Sequence, residues 1–249
     1  MRWLLALCLM VLPATAEEVV LGLSQDEVAI TTSFDGSEIL IFGAIKRDAP
    51  PPDGALGVLV TIAGPPEPVS VRRKERRYGI WVNTDEVALD GAPSYYAVAT
   101  NAPLDDILSI RDNLEHRVTV PSLLRGLTVP NTVLDASAYV AALIRVREAA
   151  GIYQELEGQV VVDQQSLFRT RIALPAALTE GAYQTRILLT RDGAVVSRYE
   201  TTIEVRKVGL ERWLYALSRE NPFWYGIMSL AIAIAAGWGA SAAFSLIRN

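Results

Sequence analysis

The stretch Gly181–Val205, GAYQTRILLTRDGAVVSRYETTIEV, decides the fold. Tyr183 to Thr190 and Ala194 to Val205 read as two strands, rich in β-branched residues. Arg191-Asp192-Gly193 joins them, and its Asp-Gly pair supplies the positive backbone angles of a tight hairpin. Gly181-Ala182-Tyr183 at the entry resembles the tyrosine corner of immunoglobulin-like sandwiches. Upstream, Gln159 to Val162 and Phe168 to Leu174 alternate as strands, and Pro175 to Gly181 is a corner. Residues 156–207 are therefore expected to form an immunoglobulin-like β unit.

Working outward, residues 17–100 also read as β. Val19–Leu23, Glu27–Thr32, Glu38–Ile45, Gly57–Ile62, Val69–Arg73, Gly79–Val82 and Tyr95–Thr100 are short candidate strands. Ser33-Phe34-Asp35-Gly36, Pro50 to Gly54 and Gly64 to Pro68 punctuate them. This pattern predicts an N-terminal β-sandwich. Residues 101–155 form a helical connecting segment, with a short helix at Pro103–Leu114 and a longer one at Asp135–Ala150. Asp135 is placed to cap the second and Gly151 to end it. The expected fold is mainly β with helical insertions: two β-sandwich units and one C-terminal transmembrane helix.

Both ends are apolar. Residues 1–16 read as a secretory signal: Arg2, the run Trp3 to Leu12, then Ala14-Thr15-Ala16 as a small-residue cleavage site. Residues 222–247, Pro222 to Ile247, contain no ionisable side chain. At ~1.5 Å per residue such a helix outreaches a hydrocarbon core of ~30 Å. Asn221 and Pro222 suit its start, and Phe223, Trp224 and Tyr225 suit the membrane interface. Residues 208–221 read as an amphipathic juxtamembrane helix in which Leu210, Trp213, Leu214 and Leu217 share a face. It either lies in the headgroup region or extends the span into water. An exported N-terminal portion leaves Arg248 and Asn249 in the cytoplasm. Arg206, Lys207, Arg212 and Arg219 then lie outside, against the usual positive-inside bias.

Composition narrows the function. Lys+Arg number 23 against 28 Asp+Glu, a formal charge of −5, unlike a nucleic-acid-binding domain. The single cysteine, Cys8, falls in the leader, so no disulfide or thiolate metal site is expected after it. His116 is the only histidine, and no Gly-rich phosphate loop is present. Asp85, Glu86 and Asp90 lack the spacing of a calcium loop. No cofactor or metal is expected.

Two constellations stand out. Arg72, Arg73, Lys74, Arg76 and Arg77 surround Glu75. They form either an anion site, since guanidinium groups suit oxyanions, or a charged edge that blocks sheet-to-sheet association. Trp81 nearby could line a ligand groove or belong to the core. In the span, Ala231, Ala235, Gly239 and Ala243 recur every four residues, with Ala233, Gly237, Ser241 and Ser245 as an adjacent file. Small residues at this spacing admit a second helix closely.

The chain resembles the Alph_Pro_TM family of alphaproteobacterial transmembrane proteins, which has no established activity. The resemblance rests on Val19-Val20-Leu21-Gly22-Leu23-Ser24, Arg72 to Asn83, Phe168-Arg169 and Gly209 to Leu214. It implies an inner-membrane protein with a periplasmic domain. It also gives a lead on a partner, a TauE/SafE-like anion exporter near which members are often encoded; the small-residue helix stripe equally admits a second copy of the chain. The sequence reading is thus a non-enzymatic, membrane-anchored periplasmic accessory or binding protein whose helix meets another membrane protein. The alternative is a periplasmic anion sensor using the Arg72–Arg77 cluster, and a membrane-tethered hydrolase is the weakest fit.

Overall fold

The computed structural model describes residues 17–23, 27–30, 36–47, 54–128, 130, 135–207 and 210–247. The predicted signal, residues 1–16, lies outside them.

Seven strands come first: β1 (Glu17–Leu23), β2 (Glu27–Ile30), β3 (Ser37–Arg47), β4 (Leu56–Ala63), β5 (Pro66–Arg77), β6 (Ile80–Pro93) and β7 (Tyr96–Thr100). Four helices follow: α1 (Leu104–Ile107), α2 (Ile110–His116), α3 (Val120–Leu124) and α4 (Ala136–Ala149). Then come β8 (Tyr153–Leu156), β9 (Val161–Asp163), β10 (Leu167–Leu174), β11 (Gly181–Arg191) and β12 (Ala194–Lys207). Helices α5 (Leu210–Glu220) and α6 (Pro222–Ile247) end the chain. The chain is mainly β with helical insertions and one C-terminal apolar helix, as its sequence indicates.

The division into separate β units at 17–100 and 156–207 needs correction. The two stretches share their sheets. One sheet has the order β1-β3-β10-β9 and the other β2-β12-β11-β4-β7-β8. In the first, Phe168, Thr170 and Ile172 of β10 stand opposite Gly43, Ile41 and Ile39 of β3, all on the buried face. In the second, β11 pairs with β4 from Gln184↔Ala63 to Arg191↔Leu56. The physical reason is burial. Val58, Leu59, Val60 and Ile62 of β4 are all buried, so both faces of that strand need cover. Its Leu59, with Tyr96, Val98 and Leu188, packs on Leu104, Ile107, Val118, Val120, Leu124 and Leu143 of the helical segment. Residues alternating with these point to the opposite face. On that side Tyr95 donates to the Ala173 carbonyl of the first sheet at 3.0 Å.

Buried tyrosines fasten these layers where a disulfide is lacking. Tyr96 Oη donates to the Val118 carbonyl at 2.5 Å and Tyr153 Oη to that of Pro93 at 3.0 Å. Tyr183 Oη donates to the Thr179 carbonyl, four residues upstream, at 2.9 Å, which is the hydrogen bond of a tyrosine corner. Burial pushes the Tyr96 and Tyr153 phenols up to about 12, so both remain neutral donors at physiological pH.

Local signals set the helix ends. Asp135 accepts from the Ala138 amide at 3.3 Å and caps α4, as expected. The helix expected at Pro103–Leu114 is broken in two. Ser109 starts α2 by accepting from the Asp112 amide, while its own amide bonds to Gly193 at 2.8 Å. Leu108 is therefore drawn out into an extended conformation. The Asp192–Gly193 turn has φ of 47° and 82°, the positive pair predicted for the β11–β12 hairpin.

Candidate interaction surfaces

The Arg72–Arg77 run lies on β5, and β5 with β6 forms a two-stranded ribbon of its own. Its turn is Tyr78–Gly79, with φ of 49° and 86°, a two-residue hairpin turn with both central residues left-handed. At the base, Val69, Val71, Val87 and Leu89 join the core. Arg147 of α4 clamps that base. It binds Glu67 at 2.6 Å and the Ser94 carbonyl at 3.3 Å. Beyond Val71 the ribbon projects as an arm. Six residues along the strand at ~3.3 Å each carry it ~20 Å to the Arg77↔Ile80 pair.

The five cations do not converge. Arg72 pairs with Glu86 at 3.2 Å, and Arg77 reaches Glu75 at 3.6 Å. The Glu86 carboxyl is held below the usual glutamate range, first by the hydroxyl of Ser70 at 2.5 Å and then by Arg72. Arg72, Arg73 and Lys74 line a groove of about 480 Å³ between the arm and α4, joined by Tyr139 and Arg145. Sequence reasoning missed Arg145, because only the fold brings α4 beside β5. Asp135 also lines the groove, but its carboxylate is engaged by Ser137 and the Ala138 amide. Arg76 and Arg77 belong instead to the tip. Trp81 is exposed there, opposite Arg76, and takes no part in the core.

His116 ends α2, and its carbonyl accepts from Arg186 at 2.8 Å. Among the described residues no three His, Cys, Asp or Glu side chains are grouped to hold a metal.

The C-terminal helices form the second surface. Backbone bonds from Asn221 to Leu217 and from Tyr225 to Asn221 run α5 into α6 through one residue. Phe223 and Trp224 stack edge-to-face at 5.9 Å, and both are exposed, as is Tyr225. The Trp213 side chain lies outside the described residues. Residues Pro222–Ala240 of α6 are long and apolar enough to cross a membrane, and among the described residues none of the window is buried.

At ~100° per residue, Ala231, Ala235 and Gly239 form a file within an arc of about 80°. Ile227, Leu230, Ile234 and Trp238 form a bulky side next to it, with Trp238 only about 20° from Ala231, and Ile232 flanks the file about 20° beyond Gly239. The expected neighbouring file needs correction. Ala233 and Gly237 lie about 200° around from Ala231 and Ala235, so they do not adjoin that file. The side chains of Ala243, Ser241 and Ser245 are outside the described residues.

A family model described as Putative transmembrane protein (Alph_Pro_TM) matches residues 18–245. Neither a curated protein nor a solved structure matches the chain.

Proposed function

We propose that this chain, which belongs to the Alph_Pro_TM family of transmembrane proteins, is a single-span accessory protein whose helix docks on another membrane helix. The β body faces the periplasm and the C-terminus the cytoplasm of an inner membrane. The observation that carries this reading is the file of small side chains on α6, with Ala231, Ala235 and Gly239 within about 80° of one another. A helix that meets only lipid gains nothing from such a file. A helix that meets another gains close backbone approach there. The partner is an integral membrane protein or a second copy of the chain, with a TauE/SafE-like exporter as the first candidate to test. Crosslinking in intact membranes, followed by purification in mild detergent, is expected to recover a stoichiometric complex. A lone monomer would contradict the reading.

A second reading, anion sensing by the body, draws support from Arg145, which adds a fourth cation to the groove of Arg72, Arg73 and Lys74. Sulfate or phosphate is then expected to raise the melting temperature of the purified chain. The shift should vanish when Arg73, Lys74 and Arg145 become Gln. No shift in the parent chain removes the reading.

A further inference from the structure

The end of the β5–β6 arm combines aromatic exposure with positive charge, and neither proposed activity uses Arg76, Arg77, Tyr78, Ile80 or Trp81. Tyr78, Ile80 and Trp81 are 106, 64 and 69 % exposed. Among the described residues no large apolar side chain is more exposed than Tyr78. Trp81 stands opposite Arg76 and Ile80 opposite Arg77, so the last two rungs carry two arginines beside two apolar side chains, capped by Tyr78 in the turn. Behind them lie Lys74 opposite Asn83 and Arg73 opposite Asp85. Arg73, Lys74, Arg76 and Arg77 thus outnumber Glu75 and Asp85, the acids of these rungs, on a chain whose net charge is −5.

From this layout we infer that the arm tip is a membrane-contact element that seats on an anionic phospholipid surface. Trp and Tyr side chains favour the headgroup level, where the ring is buried and its polar edge stays wet. Arg and Lys just behind them meet lipid phosphates, and their long stems reach along the apolar surface. Trp81 and Ile80 point to opposite faces of the ribbon, so each face of the tip offers an exposed apolar side chain beside an arginine. An acidic bilayer surface complements both features at once, whereas a zwitterionic one answers only the apolar part. The chain carries its own candidate span in α6, so a bilayer is always within its reach. The inference rests on that anchoring, and its test separates the two.

The full chain is prepared with Cys8→Ala and a single environment-sensitive fluorophore at Asn83→Cys, which leaves the tip whole. It is reconstituted into vesicles of phosphatidylcholine alone or with phosphatidylglycerol. Nitroxide lipids and aqueous iodide serve as opposing quenchers. With phosphatidylglycerol, the probe should move to shorter-wavelength emission, become quenched by the nitroxide lipid and lose its iodide quenching. Those changes should disappear in phosphatidylcholine alone, and when Arg73, Lys74, Arg76 and Arg77 are replaced by Gln. A second chain labelled at Leu230→Cys, on the bulky side of α6, should be quenched by nitroxide lipid in every vesicle. If Leu230 behaves so while the Asn83 probe stays open to iodide, the arm inference fails and the anchor stands. If the Asn83 probe is shielded from both quenchers, protein covers the tip and the inference fails equally. If the Leu230 probe itself is open to iodide, the anchoring reading is the one overturned.

Discussion

Replacing Ala235 and Gly239 together with leucine is expected to abolish recovery of the α6 complex while leaving the chain in the membrane. Both residues belong to the small-residue file of the helix, which no other described residue covers. Two added isobutyl groups would push a docked helix outward and forfeit the close packing on which association in lipid depends. The complex should fall at least about tenfold, a loss of only ~1.4 kcal/mol. Leucine is at least as apolar as the residues it replaces, so insertion is unaffected. Ile234→Leu, on the bulky side, serves as the control and should leave the complex intact. Alkaline extraction reports insertion and quantitative crosslinking reports the complex. Equal loss in both variants would mean that the small side has no special part.

Phe168→Ala is expected to produce the largest loss of stability in the β body. The ring is 2 % exposed and lies over Gly43 of β3, where a Cβ would come within 2.5 Å of Cζ. Gly43 is small because Phe168 occupies the space its side chain would need. Truncating a buried phenylalanine costs ~3–5 kcal/mol, a large part of an ordinary stability of ~5–15 kcal/mol. Urea unfolding of the full chain in detergent, followed by circular dichroism of its strands, should show one β transition at a much lower midpoint. Phe168 comes from the C-terminal stretch and Gly43 from the N-terminal one, so both stretches must lose structure together. Two transitions, with only one displaced, would mean that the stretches fold independently.

Local features of this fold were legible, and long-range ones were not. Asp135 before an apolar periodic run gave α4, and Asp192–Gly193 gave the β11–β12 hairpin, because caps and turns depend on neighbours in sequence. Tyr183 after Gly181 pointed to the corner hydrogen bond for the same reason. The pairing of β3 with β10 and of β4 with β11 joins residues over a hundred positions apart, and hydropathy alternation names a strand without naming its partner. That is why 17–100 and 156–207 read as separate units.

The arm was half-legible. Val69–Arg73 and Gly79–Val82 were found as short strands. Arg72 to Arg77 broke the apolar pattern between them, because a ribbon that leaves the core no longer alternates apolar with polar. Tyr78–Gly79 was the available signal, a two-residue turn flanked by β-compatible residues. The groove with Arg145 could not be read at all, since it depends on where α4 packs. On α6 the repeat of small residues was plain in sequence. That Trp238 and Ile232 flank this repeat required counting angles around the helix rather than steps along it.

The central claim is that α6 turns its small-residue side to another membrane helix. Its most direct test is a photocrosslinking scan with a benzophenone amino acid placed singly from Ala231 to Gly239 in the full chain, in native membranes. Protein adducts should recur at Ala231, Ala235 and Gly239 and be weak at Ala233 and Gly237, about 200° around from Ala231 and Ala235. Adducts of equal yield around the helix, or none to protein at any position, would contradict it.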